Sequence, residues 1–437
     1  MRTFIVLASA VATVAIVTAC ASSEDAPSVG SDPPAPAEVP DSGGDAGGSL
    51  PDVDVPDSRL PNCSSAGWCI TDFPDEDLVF RDIAPFEEVA FAIAESRVEG
   101  IKVLEWTKAT NAWSYIDDGT QNEPPIGSFA GRIYAPNVDD VYFTVGPSHI
   151  FHGTRSGGTW TWSNQALPDS IVGHTDTHGH PTDTYGSRQP VTTLGVWGTG
   201  AEDVYAYYSN TIFRRDSVSG TFVSDYVADD LASATEHIFF TSVHGNGPSD
   251  VWFVGARVLG YSTCPLVVRK SAAGWERVAV STISSNFLSP CAERAGTLFI
   301  GGSGKSGWLV DGASVSATEF VALHNRVRAT SLEDVYAATI RVTDDGYSLT
   351  ESLVPVTIAD KGDTSRRTAT SLWRGDGEMY FTSWGLVLRG SEDGTFSVST
   401  LARSGAQVNA PFYRIRGTSN QNLWAIGARY AYHKTTP

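Results

Sequence analysis

The densest chemistry in the sequence lies in one loop. His174-Thr175-Asp176-Thr177-His178-Gly179-His180 places three imidazoles and a carboxylate within seven residues. Imidazole nitrogen and carboxylate oxygen are the usual donors to zinc and related divalent ions. His174, Asp176, His178 and His180 are therefore a candidate metal set, and a divalent metal is the one cofactor the chain suggests. A solvated polar loop bounded by Gly and Pro is the plainer alternative, and no general base or water path follows from the set. A second group is basic and aromatic. Tyr134, Trp197, His244, Arg328 and Arg416 each stand six residues before an Asp or Asn, with Trp373 at the same point of a unit one residue shorter. Arg132, Arg326 and Arg414 precede three of them by two. Guanidinium forks hold carboxylates and other anions, so these positions are candidate ligand contacts. Ion pairs that stitch neighbouring units together are the alternative.

Three other strings carry less. Gly302-Ser303-Gly304-Lys305-Ser306 lacks the first glycine of a phosphate-binding loop, whose place Phe299 takes, and it falls in a hairpin rather than between a strand and a helix. Arg374-Gly375-Asp376 is a tripeptide that chance supplies readily. Asp139-Asp140 and Asp229-Asp230 are turn residues before they are a glycosidase pair, which needs two carboxyls roughly 5–10 Å apart across a cleft. No coherent catalytic set emerges.

Five cysteines are present among 437 residues. An apolar run from Phe4 to Ala19 follows Met1-Arg2, as in an export signal. It ends in Val17-Thr18-Ala19-Cys20, which resembles the bacterial lipobox. That resemblance implies cleavage before Cys20 and lipidation of its thiol, with a plain signal peptide as the alternative. The expected divisions are a signal segment over 1–20, a Pro-, Gly- and Asp-rich tether over 21–61, and one folded domain over 62–437. The tether holds too few large apolar residues to offset its ordering entropy. With Cys20 lipidated, an even set remains, Cys63, Cys69, Cys264 and Cys291. In an oxidising compartment these suggest two disulfides. Local pairing, Cys63 with Cys69 and Cys264 with Cys291, is the simplest of three connectivities.

The positioning elements come from a repeat. Asp140-Val141-Tyr142, Asp203-Val204-Tyr205, Asp250-Val251-Trp252 and Asp334-Val335-Tyr336 share one pattern. Glu88-Val89-Ala90, Thr297-Leu298-Phe299, Glu378-Met379-Tyr380 and Asn422-Leu423-Trp424 are weaker copies. Most neighbours lie 44 or 47 residues apart, the length of a four-stranded unit. Alternation and β-branched content make each unit four short strands. The last unit ends at Lys434-Thr435-Thr436-Pro437 without a fourth strand, whereas Gly67-Trp68-Cys69-Ile70 supplies a strand before the first unit begins. The expected fold is all-β: a β-propeller of eight four-stranded blades, seven being the main alternative, with the ring closed by the N-terminal strand. In that arrangement the histidine loop joins two blades, and the hairpin turn carrying His149 lies at the same end. His149, Trp197, Arg328 and Arg416 are the candidate ligand contacts.

The Asp-Val-Trp-x-Val-Gly pattern, followed by an apolar strand and a Gly-x-Trp, resembles bacterial propeller lipoproteins with Trp-rich, WD40- or BNR-like repeats. Ser391-Glu392-Asp393-Gly394-Thr395-Phe396 and Ser156-Gly157-Gly158-Thr159-Trp160 resemble degenerate Asp boxes of the sialidase class. The resemblance spans nearly all of Asn62 to Pro437. It implies architecture and leaves activity open, because propellers host many functions. A net charge of −20 argues against nucleic acid. The expected role is a monomeric binding scaffold for protein or glycan. It would sit in the cell envelope, lipid-anchored at the outer membrane or cell surface. The alternative is a polysaccharide hydrolase or lyase, metal-dependent through the histidine loop.

Overall fold

The structure, a computed structural model, describes residues 63–127, 129–169, 194–230, 236–259, 262–278, 307–326, 335–353, 369–391, 396–401 and 408–436. The chain divides into two units, Met1–Ser58 and Arg59–Pro437, and every described residue belongs to the second. No described helix is long and apolar enough to cross a membrane.

The first described strand, β1 (Trp68–Ile70), stands apart from the six complete blades that follow it. Blade 1 is β2 (Val79–Pro85), β3 (Val89–Ser96), β4 (Gly100–Thr107) and β5 (Ala112–Tyr115). Blade 2 is β6 (Ala130–Asn137), β7 (Asp140–Val145), β8 (His149–Ser156) and β9 (Thr159–Ala166), and blade 3 is β10 (Leu194–Gly200), β11 (Asp203–Tyr208), β12 (Thr211–Arg215) and β13 (Phe222–Val227). Blade 4 is β14 (Glu236–Gly247), β15 (Asp250–Leu259), β16 (Ser262–Ser271) and β17 (Gly274–Arg277). Blade 5 is β18 (Gly307–Ser316), β19 (Glu319–Arg326), β20 (Val335–Thr343) and β21 (Gly346–Leu353), and blade 6 is β22 (Ser371–Gly375), β23 (Glu378–Ser383), β24 (Leu386–Ser391) and β25 (Phe396–Ser399). Blade 7 has β26 (Phe412–Ser419), β27 (Asn422–Gly427) and β28 (Tyr430–Lys434), and takes β1 as its fourth strand.

The protein is a β-propeller of seven blades, which corrects the expectation of eight. The first strands β2, β6, β10, β14, β18, β22 and β26 contact one another in that order, and β26 returns to β2. The ring is closed and leaves no gap for another blade. The miscount arises in blade 5. Asp334-Val335-Tyr336 has the pattern that starts a second strand elsewhere, but Val335 opens the third strand, β20. The acid that heads the second strand is Glu319, opposite Arg341. The Thr297-Leu298-Phe299 copy lies outside the described residues.

The recurrent acid does more than close its turn. In blade 4 the Trp252 indole Nε1 donates to Asp250 at 2.8 Å. Arg269, directly across on the third strand, lies over the Trp252 ring at 4.7 Å and contacts Asp250 at 3.5 Å. Blade 3 repeats this with Asp203, Tyr205 and Arg214. Blade 2 uses Asp140, Tyr142 and His152, the two rings stacked at 4.2 Å. Blade 7 uses Asn422, Trp424 and His433, stacked at 4.1 Å. The repeated tripeptide is thus half of a clamp whose other half is a cation or imidazole on the neighbouring strand.

Apolar side chains fill the seams. One buried cluster joins blades 1 and 2 through Phe91, Val103, Ile133 and Phe143, and another joins blades 3 and 4 through Tyr207, Ile238, Phe240 and Leu266. The last seam carries the closing strand. Trp68, Cys69 and Ile70 pair with Lys434, His433 and Tyr432. The fully buried Trp68 donates its indole N–H to Ser399 of blade 6. Cys63 and Cys69 form a disulfide across the turn that leads into β1. Gly67 in that turn has φ +81°, and a Cβ there would lie 1.9 Å from Thr436 Oγ1. A glycine therefore lets head and tail of the domain meet.

Candidate functional site

Each first strand carries a matching four-residue step around the central channel. The steps are Asp82–Pro85, Arg132–Ala135, Gly195–Gly198, Ser242–Gly245, Asp311–Ser314, Ser371–Arg374 and Arg414–Gly417. Five strands have a register shift at or beside the first residue of the step, which turns that residue inward. The fourth residue is often glycine for a steric reason. A Cβ on Gly198, Gly245 or Gly417 would lie 2.6, 2.2 or 2.5 Å from the carbonyl oxygen of Asp203, Asp250 or Asn422. The third residue is large in five of the seven steps, Ala84 and Ala313 being the exceptions, and its aromatic members form a partial collar. The Tyr134 ring covers Gly198 of the next blade, Trp197 covers Gly245, and the Trp373 indole donates to the Gly417 carbonyl at 2.9 Å.

These steps line a cavity of about 340 Å³ at the end of the channel where first strands turn into second strands. At its side lies Asp311, fully buried. One Asp311 oxygen accepts from Ser242 at 2.7 Å and from His244 at 3.1 Å. The other accepts from Ser371 at 2.6 Å and from the Leu372 backbone N–H at 3.0 Å. Arg416 spans both, at 3.0 and 3.1 Å. Burial opposes the charge of Asp311, but Arg416 and Arg414 outweigh it and hold the carboxyl well below its ordinary range. Burial likewise lowers His244 from its usual value. Asp82 repeats part of this geometry three blades on, accepting the Ile133 N–H at 3.1 Å.

Arg414 lies between the two acids and is 1% exposed. Its Nε is 3.5 Å from Asp82 and its Nη1 is 3.1 Å from Asp311. Neither nitrogen completes a hydrogen bond. Burial, followed by the charge of Arg132, brings its pKa down to about 10. Arg132 has no carboxylate partner among the described residues. Its guanidinium meets the Arg81 carbonyl at 3.5 Å and the Tyr207 hydroxyl, and its Nε is buried without a hydrogen bond.

The sequence-derived candidates separate into groups. Trp197 and Arg416 both line the cavity. His149 does not. It pairs with Val145 at the far end of blade 2, half-buried, where burial lowers its pKa. Arg328 lies outside the described residues, as do Cys20, Cys291 and the histidine loop with His174, Asp176, His178 and His180. No group of three or more metal-ligating side chains is found among the described residues. Cys264 is disulfide-bonded, and since Cys63 and Cys69 hold each other, its partner lies outside the described residues. The ion-pair alternative describes Arg416: it joins blade 7 to blade 5 through Asp311, an acid on a first strand rather than in a turn. Asp311 carries no sequence signal because the motif of blade 5 stands at its third strand, although Asp311 occupies the same place in its step as Arg414 and Asp82. Arg374-Gly375-Asp376 is tied into neighbouring blades, Arg374 to Glu319 at 3.3 Å and Asp376 to the Asn420 N–H at 3.0 Å.

No protein-family model matches the sequence, and no curated protein matches it. Solved structures do. YCF48 from Cyanidioschyzon merolae is similar with a TM-score of 0.53 and 13% identity, over 84% of this chain and 98% of that one. A structure of YCF48 bound to D1 peptide gives 0.52 and 10%, over 86% and 98%. The extracellular domain of the one-component system BT4673 from B. thetaiotaomicron gives 0.49 and 9%, over 85% of this chain and 40% of that one. The first two support the propeller architecture.

Proposed function

We propose that this protein is a binding module of the cell envelope whose ligand enters the channel mouth between Tyr134, Trp197 and Trp373. In this reading residues 1–20 direct export, Cys20 carries the lipid, residues 21–61 are the tether, and the domain from 62 onward presents the site as a monomer. The carrying observation is the cavity itself. A chain of net charge −20 lines it with Arg132, Arg414 and Arg416 under an aromatic collar. Concave sites with apolar walls and a few convergent polar groups are the usual form of a ligand pocket. YCF48 has been solved with a peptide bound, so a propeller of this kind can hold a protein segment, and the reading favours protein over glycan.

The test is crosslinking and pull-down of the full chain from its own envelope fraction. A Tyr134→Ala/Trp197→Ala variant should recover its partner at least about tenfold less well, since buried aromatic anchors dominate interfaces. A Cys20→Ser variant should leave the membrane fraction but still bind. Undiminished capture by the Tyr134/Trp197 variant would move the binding surface away from the channel.

A further inference from the structure

We infer that the channel cavity is a receptor for a single carboxylate on an apolar body, and that its natural occupant is the C-terminal end of a peptide. This rests on the channel mouth being the binding surface. The charge count comes first. Three guanidinia, those of Arg132, Arg414 and Arg416, line the cavity together with one carboxylate, Asp82, and a second carboxylate, Asp311, lies fully buried behind the wall against Arg416 and Arg414. Asp311 is taken by the two-pronged contact of Arg416. Asp82 is taken by the Ile133 N–H on one oxygen, and its other oxygen has no hydrogen-bond donor. Arg374 also lines the cavity but is satisfied by Glu319. One positive charge is left over, and it resides with Arg132 and Arg414, whose guanidinia repel each other.

The donors agree with the charges. Arg132 Nε is buried without a hydrogen bond, and Arg414 Nε and Nη1 complete none although they lie 3.5 Å from Asp82 and 3.1 Å from Asp311. An arginine donor left unpaired in a buried site is costly, so its neighbourhood favours an anion. One unit of charge suits a carboxylate. A doubly charged phosphate would make the cavity wall net negative. Room and polarity decide what carries the carboxylate. The cavity, at about 340 Å³, is far larger than the group alone, and its other walls include Ile83, Ala84, Phe86, Val196, Val243 and Ala313. A sugar acid would leave its hydroxyls against these apolar walls without partners. A chain end with an apolar last residue places its carboxylate at the arginines and its side chain on that wall.

Binding to the full-length protein, followed by tryptophan fluorescence and calorimetry, tests this with N-acetyl-Ala-Ala-Phe as free acid and as C-terminal amide. The acid should bind about tenfold or more tightly than the amide, the difference expected of a charge-assisted contact. Arg132→Leu should abolish that difference, while Arg132→Lys keeps part of it. Thermal melting of both variants confirms that they fold. Equal binding of acid and amide, both weakened by Trp197→Ala, would overturn the carboxylate inference and leave the channel reading standing. No binding by either peptide, with the pull-down also indifferent to Tyr134 and Trp197, would overturn both. Tighter binding of 3-phenylpropionate or inorganic phosphate than of the peptide acid would overturn the chain-end assignment.

Discussion

At the residue scale, one buried carboxylate organises four blades. Asp311 in blade 5 is reached by Ser242 and His244 of blade 4, Ser371 and Leu372 of blade 6, and Arg416 of blade 7. Removing its charge leaves Arg414 and Arg416 facing each other in a buried site. Asp311→Asn should therefore cost roughly 3–5 kcal/mol in urea denaturation at neutral pH, the usual penalty for orphaning a buried ion. The pH dependence has a fixed sign. The folded-state pKa lies well below the ordinary 3.8, so the stabilisation is complete above that value. It declines as pH falls below 3.8 toward the folded pKa, because the unfolded chain takes up the proton first. The variant should show a shallower loss of stability over that acid range. None of this was legible locally. Asp311 sits in Leu309-Val310-Asp311-Gly312, and its partners are 60 to 105 residues away. The arginines could be flagged because they recur at fixed offsets from the repeated acid. Their partner could not, because it belongs to blade 5, where the repeated tripeptide heads the third strand and gives no offset to the first.

At the element scale, the hairpin clamp shows what the repeated tripeptide does and where reading it fails. Where acid, ring and cation coincide, as in Asp250, Trp252 and Arg269, the sequence places the second strand correctly. Blade 5 breaks the rule twice. Glu319-Phe320 heads a second strand with Ile340 rather than a cation opposite the ring, and Asp334-Val335-Tyr336 imitates the motif at the head of a third strand. Val335 stands 44 residues before Met379, an interval of the repeat, so spacing alone does not reject the imitation. The clamps also differ in depth, which ranks their energies. Arg269 is 10% exposed, whereas Arg214 is 43% exposed and its guanidinium lies 6.0 Å from the Tyr205 ring. Arg269→Met should lower unfolding free energy by about 2 kcal/mol, from a charged hydrogen bond and a desolvated cation–π contact. Arg214→Met should cost less than about 1 kcal/mol, as exposed pairs do. Paired denaturation curves would check the order, and equal losses would show that the clamp does not depend on burial.

At the scale of the whole molecule, the ring has no end of its own. The missing fourth strand after Lys434 and the extra strand at Trp68 were both readable in the sequence, because the surplus at one terminus matches the deficit at the other. The number of blades was not, since closure depends on strand-to-strand contacts that no local pattern encodes. Deleting residues 62–73 should abolish the single cooperative transition, or drive oligomerisation through the exposed edge of β28. Sedimentation and calorimetry on the deleted protein would decide, and a monomer that melts like the intact chain would contradict the role given to β1.

The disulfide beside that strand has a mechanical meaning. Tension arriving along the backbone at Cys63 does not have to pass through the turn from Ser64 to Trp68. The Cys63–Cys69 bond carries it directly to the middle residue of β1, opposite His433. Oxidised, the domain takes load in the centre of its closing strand. Reduced, it takes the same load at the strand's first residue, Trp68, which can be drawn away one pair at a time. The redox state of two residues therefore selects how the ring would resist being pulled open.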